Sequence, residues 1–193
     1  MDRFVDGLAA AGVGTLFSNT NAMRTNYDSA VWEPFWQGYD PKGPDDQPAL
    51  SGLPGARIAQ ARRMLDCMLA LQKQGTDFHL RAFARCRRHN ISPWISLRMN
   101  DIHDVDLPNS PLLSTFWKEH PELRRGEDRA LDYSQPQVRD HYRSLIVETL
   151  DRYDLDGLEL DFMRFPHHFR IGHELEGGEL LTEWLRGIRK LTK

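Results

Sequence analysis

Two carboxylates interrupt a short apolar run late in the chain, Asp156-Gly157-Leu158-Glu159-Leu160-Asp161-Phe162-Met163-Arg164-Phe165-Pro166. Successive side chains of a β-strand point to opposite faces, so Glu159 and Asp161 would share one face and the leucines the other. Two acids on one face are what carboxylate-based hydrolysis of a glycosidic bond requires. An ordinary half-exposed strand with both acids in water gives the same alternation. The surrounding elements have to decide between the two interpretations.

Composition and charge exclude several classes of protein. The chain has 193 residues, of which 40% are hydrophobic and 27% charged, as in a folded globular domain. This length predicts a single domain over 1–193 with one sizeable core. The net charge of -3 gives no general attraction for nucleic acid or anionic lipid, and no run approaches the ~20 apolar residues of a membrane span. We therefore expect neither a nucleic-acid nor a membrane partner, and the oligomeric state is not predicted.

No pattern in the sequence indicates a metal or a cofactor. Neither Cys67 nor Cys86 has the neighbouring Cys or His of a zinc site with the usual spacing. Four histidines in loops also match no metal motif: His103, His167, His168 and His173. The residues after Met1 lack the basic and apolar segments of a signal peptide. This favours the cytoplasm if the chain is complete and leaves the compartment open if it is not.

Strands and helices alternate along the chain. The patterns predict strands at 13–18, at 91–98 and within 156–166, with helices near 4–9, 58–71, 78–86, 138–150 and 180–191. This order predicts parallel β/α units with right-handed crossovers. Polar residues and a long loop follow each strand, as at the catalytic end of a (β/α)8 TIM barrel. A doubly wound sheet is disfavoured because no Gly-rich phosphate turn follows a strand.

The chain is short for a complete barrel, which takes roughly 250 residues. We therefore expect about half of a (β/α)8 barrel, truncated at both ends. Its first strand would precede Met1, and its later strands would follow Lys193.

A barrel would bury both faces of the acid-bearing strand. Arg98 would then point inward beside Glu159, and an ion pair between them would avoid two unpaired buried charges. Glu159 is therefore either an ion-pair partner or a second acid. Asp161 lies nearer the barrel mouth, where it could act as nucleophile or as electrostatic stabiliser. Alternatively, Asp161 is a structural hydrogen-bond acceptor for Arg164 or Asn100.

Other polar residues at the strand ends would surround this acid pair. Glu159 and Asp101 are the candidates for the second carboxyl group, which could also lie on a strand outside the chain. The candidate substrate-binding residues are Asn21, Arg24, Arg98, Asn100, Asp101, His103, Arg164 and Trp117. Four loop aromatics fit sugar-stacking platforms or, equally, the packing of the loops: Trp32, Trp36, Tyr39 and Trp117.

Four segments together carry a resemblance to a known family. They are NTNAMRTNY at 19–27, ISPWISLRMNDIH at 91–103, FWKEHPEL at 116–123 and YDLDGLELDFMRF at 153–165. The chain resembles, over nearly its whole length, the family-10-like hypothetical glycosyl hydrolases of bacteria. The resemblance implies a (β/α)8 barrel that hydrolyses O-glycosidic bonds of a poly- or oligosaccharide. The isolated half barrel would be inactive, and the alternative function is a noncatalytic carbohydrate-binding barrel.

The spacing of Gly157 and Asp161 is also similar to the nucleophile motif on the fourth strand of the α-amylase group. That group carries its general acid on the following strand, which this chain would lack. It also carries arginine at the position of Glu159. The Asn-Glu pair of true family-10 xylanases is absent at this strand end.

Overall fold

The computed structural model describes residues 1–107 and 110–192, which form a mixed α/β structure. The strands are β1 (Thr15–Asn19), β2 (Ser92–Arg98) and β3 (Gly157–Asp161). The helices are α1 (Asp2–Ala10), α2 (Gly55–Gln72), α3 (Phe78–Arg88), α4 (Thr115–Glu119), α5 (Pro136–Arg152) and α6 (Glu174–Arg189), with a 3-10 turn at Pro121–Leu123. Three strands separated by helices, in this order, confirm the predicted alternation.

The three strands form one parallel sheet with β2 in the centre. Phe17 of β1 lies opposite Trp94 of β2, which in turn lies opposite Gly157 of β3. Four residues further along β2, Arg98 lies opposite Asp161. Because the strands are parallel, their carboxyl ends meet at one edge of the sheet.

Helices cover one face of this sheet. Ile95 and Leu97 of β2 are fully buried there, in one hydrophobic cluster with Phe83 of α3 and with Leu145 and Ile146 of α5. The apolar residues of α5 recur at helical spacing, so one stripe of the helix faces the sheet. A second, smaller cluster packs the loop after β1 onto α2 through Trp36, Tyr39, Ala49, Leu50 and Leu65.

The prediction of a (β/α)8 barrel, or of half of one, is wrong. Among residues 1–107 and 110–192 the sheet has three strands and does not close. Strand and helix alternation determines parallel pairing, but closure depends on strand number, tilt and stagger, which no local pattern specifies. Three strands spaced about 4.8 Å apart span too little width to meet.

The second face of the sheet is therefore open, whereas the barrel interpretation required both faces to be buried. Glu159 is exposed and Phe17 is 49% exposed on this face. Trp94, Arg98 and Asp161 are partly exposed beside them. The interpretation of β3 as a half-exposed strand thus describes its surroundings better than a barrel interior does.

Candidate functional site

The candidate site lies where β2 and β3 end. Arg98 and Asp161 are neighbours in the register of the two strands, and the backbone N–H of Met99 donates to the Asp161 carbonyl oxygen at 3.1 Å. The Oδ1 atom of Asp161 accepts hydrogen bonds from the backbone N–H groups of Met163 at 2.9 Å and Arg164 at 3.0 Å. Two fixed donors therefore hold one oxygen of this carboxylate, and its orientation is determined by the backbone.

Asp101 is the buried acid of the site, with a side chain that is only 1% exposed. Its Oδ2 atom accepts from Nη1 of Arg98 at 3.1 Å, and its Oδ1 atom lies 2.8 Å from Nδ1 of His103. The backbone N–H of His103 also donates to Oδ1 at 2.9 Å. Because burying an unpaired carboxylate is costly, Arg98 and His103 are the partners that permit this acid to lie inside.

Arg164 extends the strand-end network, which is the series of hydrogen-bonded residues from Arg98 through Asp101 and His103 to Arg164 and Asp161. Its Nη2 atom lies 3.1 Å from Nε2 of His103, while its backbone N–H holds Asp161. A guanidinium has only donors, so Nε2 of His103 is the acceptor and the ring proton lies on Nδ1, facing Asp101. The structure thus links Arg98, Asp101, His103, Arg164 and Asp161, all five of which the sequence singled out.

Glu159 lies on the same open face as Asp161 and precedes it by two residues along β3. The expected ion pair between Glu159 and Arg98 is wrong, because the guanidinium of Arg98 pairs with Asp101 instead. Glu159 is opposite Ser96 in the register. An exposed carboxylate on an open face needs no cation to offset burial, which removes the reason for the expected pair.

Two predicted substrate-binding residues hold backbone segments together. The side chain of Asn21 exchanges two hydrogen bonds with the backbone of Arg98, at 2.9 and 3.0 Å, and so extends the pairing of β1 and β2. Asn100 is 2% exposed and bonds the backbone of Leu131 at 2.9 and 3.1 Å and the carbonyl of His167 at 2.5 Å. Neither amide is left to bind a substrate.

Arg24 and Trp117 have partners outside the strand-end network. Arg24 is buried, its Nη2 atom is 3.7 Å from Oε1 of Glu33, and burial lowers the pKa of its guanidinium. Trp117 is 5% exposed and donates from Nε1 to the carbonyl of Arg129 at 2.8 Å. The guanidinium of Arg124 lies 3.7 Å from the centroid of the Trp117 ring, which occupies one ring face.

The other loop aromatics are buried as well. Trp32, Trp36 and Tyr39 are each no more than 8% exposed. Trp32 stacks on His141 with centroids 4.2 Å apart, and Tyr39 donates to Oδ1 of Asp66 at 2.9 Å. Of the two uses that the sequence left open for these residues, the structure shows loop packing.

The aromatic residues on the acid-bearing face are Phe17 and Trp94, which were not identified as site residues from the sequence. Their ring centroids are 5.2 Å apart and their planes are inclined by 45°. The signal that could have found them is the strand alternation, since Trp94 precedes Arg98 by four residues and so shares its face.

A separate cleft of about 290 Å³ lies between α2 and the start of α3, and no residue of the strand-end network lines it. Met64, Met68 and Leu71 form its apolar wall, and His79 lies in its floor. Burial lowers the pKa of His79 to about 4. Of the residues that the sequence analysis singled out, Trp36 lines this cleft, and neither Asp161 nor Glu159 does.

Within the part of the chain that the structure describes, no three or more His, Cys, Asp or Glu side chains are grouped to hold a metal ion. No helix among those residues combines the length and apolar character needed to cross a membrane. The chain has no significant match to the models of known protein families or to curated proteins.

Proposed function

We propose that the protein hydrolyses O-glycosidic bonds of a poly- or oligosaccharide, with Asp161 as the carboxylate at the reacting carbon. The observation that carries the proposal is the fixed orientation of Asp161, whose Oδ1 atom is held by the N–H groups of Met163 and Arg164. A positioned carboxylate at the end of a strand suits a nucleophile or a stabiliser of an oxocarbenium-like transition state. The resemblance to family-10-like glycosyl hydrolases supports the same reaction.

Glu159 is the second acid of the proposed reaction. It shares a face with Asp161 at a distance of two residues, which separates their Cα atoms by about 6.6 Å. Glycosidases hold their two carboxyl groups about 5 to 9.5 Å apart, depending on the stereochemical outcome. Glu159 is also exposed, so its carboxyl group is accessible to a substrate lying on the open face.

Arg98, His103 and Arg164 serve as positioning groups in this proposal. Asp101 is buried behind Arg98 and His103, with both of its oxygens engaged. It therefore orients these two side chains and does not itself reach a substrate. The guanidinium groups of Arg98 and Arg164 keep further N–H donors that can be directed at sugar hydroxyls, whereas both ring nitrogens of His103 are engaged and His103 only orients Arg164.

A second candidate function is carbohydrate binding without turnover. The observation that favours it is the exposure of Glu159 on an open sheet face. The proton donor of a glycosidase usually sits in an apolar, water-excluding environment, and this face does not enclose Glu159. The strand-end network would then bind hydroxyl groups of the saccharide but would not cleave its glycosidic bond.

The test is an assay of the protein against aryl glycosides and polysaccharides, with Asp161→Asn compared alongside. Asp161→Asn keeps the shape of the side chain but removes its charge, so turnover should fall by several orders of magnitude. Asp151→Asn, an exposed change on α5, is the matched control and should leave turnover unchanged. Binding of oligosaccharides without turnover by the unmodified protein would favour the second candidate.

A further inference from the structure

A partly exposed aromatic surface lies on the same sheet face as the two acids. The indole ring of Trp94 lies against the backbone of Gly157 on β3, where any Cβ atom would overlap three of its ring carbons. Phe17 lies on the other side of Trp94, opposite it in the register, and is 49% exposed. Glycine at position 157 thus leaves the room in which the indole lies across the sheet.

Hydrogen bonds hold the indole in this position. Its Nε1 atom donates to Oγ of Ser92 at 3.0 Å, and that hydroxyl donates to Oδ2 of Asp156 at 2.7 Å. Arg87 fixes Asp156 in turn through Nη1, at 2.6 Å. The polar edge of Trp94 is therefore satisfied within the protein, and its orientation needs no further ordering when a ligand binds.

The open face is graded from apolar to polar along the strands. The row of Phe17, Trp94 and Gly157 comes first. The next row places Ser96 beside Glu159, and the last row places Arg98 beside Asp161. Successive rows are about 6.6 Å apart, because each step is two residues along a strand.

We infer that Phe17 and Trp94 form a stacking subsite for a pyranose ring with equatorial hydroxyls, next to the acids of the open face. The inference rests on the proposed function and adds the class of sugar. A second copy of this face would bring another set of the same charged groups, Glu159, Arg98 and Asp161, out of water, which is costly unless each charge finds a well-placed partner. A saccharide instead offers an apolar C–H face to the aromatic rings and hydroxyls to the charged row.

The configuration of the sugar follows from the flat shape of the indole. A pyranose whose hydroxyls are all equatorial presents an uninterrupted set of axial C–H bonds, which packs closely on an aromatic ring. An axial hydroxyl projects from one face of the sugar and separates the two surfaces. Gluco- and xylo-configured oligosaccharides therefore fit this subsite, whereas manno-configured ones fit it poorly.

The experiment measures binding of cellotetraose, xylotetraose and mannotetraose by calorimetry and by tryptophan fluorescence. Asp161→Asn is used as the background, so that binding is measured without turnover. Trp94→Ala should weaken binding of cellotetraose by about tenfold or more, as expected for loss of one stacking surface. Phe17→Ala should weaken it less, and Trp94→Phe should lie between Trp94→Ala and the parent. Phe4→Ala, a change at an exposed aromatic residue of α1, is the control and should leave the affinity unchanged.

The outcomes separate this inference from the proposed function. Binding of cellotetraose that depends on Trp94, without turnover by the unmodified protein, supports the subsite and overturns the hydrolase. Turnover that depends on Asp161, with the Trp94 and Phe17 variants binding normally, overturns the subsite alone. Equal affinity for mannotetraose and cellotetraose also overturns it. So does a dimer in sedimentation that Trp94→Ala dissociates, because a second copy would then occupy the face.

Discussion

The indole ring of Trp94 occupies the space that a side chain at Gly157 would need. A Cβ atom at position 157 would overlap three carbon atoms of the ring. Gly157→Ala should therefore displace Trp94 and lower the free energy of unfolding by about 1 to 3 kcal/mol, the usual cost of overpacking. Urea unfolding measures the loss, and a shift of the tryptophan emission reports the displacement.

Gly187→Ala is the matched control for this change. A Cβ atom at position 187 in α6 meets no other group within 4 Å, and alanine favours helix over glycine by about 1 kcal/mol. This variant should be unchanged or more stable, with unaltered emission. An equally small effect of Gly157→Ala would contradict the close packing of Trp94 on β3.

Asn100 should contribute to stability and not directly to ligand binding. Its buried amide satisfies the N–H and C=O groups of Leu131 and the C=O group of His167. Asn100→Ala leaves these groups unpaired, and we expect a loss of about 3 kcal/mol in the free energy of unfolding. Thermal and urea unfolding measure it, with exposed Gln137→Ala as the control. Normal stability together with lost saccharide binding would instead assign Asn100 to the ligand.

The sequence predicted the local elements and their parallel pairing but not the surroundings of the acid pair. Alternation along β2 and β3 correctly separates Ile95 and Leu97 from the polar face, because a strand's period of two is a local property. Whether Glu159 meets solvent or a barrel interior depends on closure of the whole sheet. That property is global, and no pattern around Glu159 carries it.

The candidate site was predictable as a cluster but not as a set of partners. Parallel strands bring their carboxyl ends together, which places Arg98 next to Asp161. The pairing of Arg98 with Asp101 depends on the turn after β2, where the backbone N–H of His103 also reaches Asp101. Trp117 could not be separated from a stacking platform, because loop burial depends on contacts far apart in the chain.

The imidazole of His103 should carry its proton on Nδ1. Arg164 can only donate to Nε2, at 3.1 Å, and Asp101 can accept from Nδ1, at 2.8 Å. Nitrogen-15 NMR distinguishes the two tautomers directly. Partly exposed His120, beside Glu122, provides a comparison for a histidine with a solvated partner. Protonation of His103 on Nε2 alone would contradict the strand-end network, in which Nε2 accepts from Arg164.

The stability of the fold should decrease as the pH falls through the region where an unfolded histidine gains a proton. His79 is 1% exposed, and its ring nitrogens lie 2.9 Å from Oγ of Ser18 and 2.6 Å from Oδ1 of Asn26. Burial lowers its pKa from 6.5 to about 4. Burial also lowers the pKa of His141, to about 3. Neither imidazole is readily protonated in the folded protein.

The sign of the pH dependence follows from these directions. Above about pH 6.5 His79 is neutral in both states and contributes no pH dependence. Between about pH 6.5 and 4 the unfolded chain takes up a proton that the folded protein does not, so unfolding becomes more favourable as the pH falls. The shift of His79 corresponds to about 3 kcal/mol over this window, and His141 acts in the same direction.

Urea unfolding at a series of pH values between about 7 and 4.5 measures this effect. His79→Gln should lower stability at neutral pH and weaken the pH dependence, leaving the part that His141 contributes. His173→Gln, a change at an exposed histidine, controls for the loss of an imidazole. A free energy of unfolding that stays constant over this range in the unmodified protein would mean that His79 accepts a proton in the fold. The hydrogen bonds to Ser18 and Asn26 would then not describe a neutral imidazole.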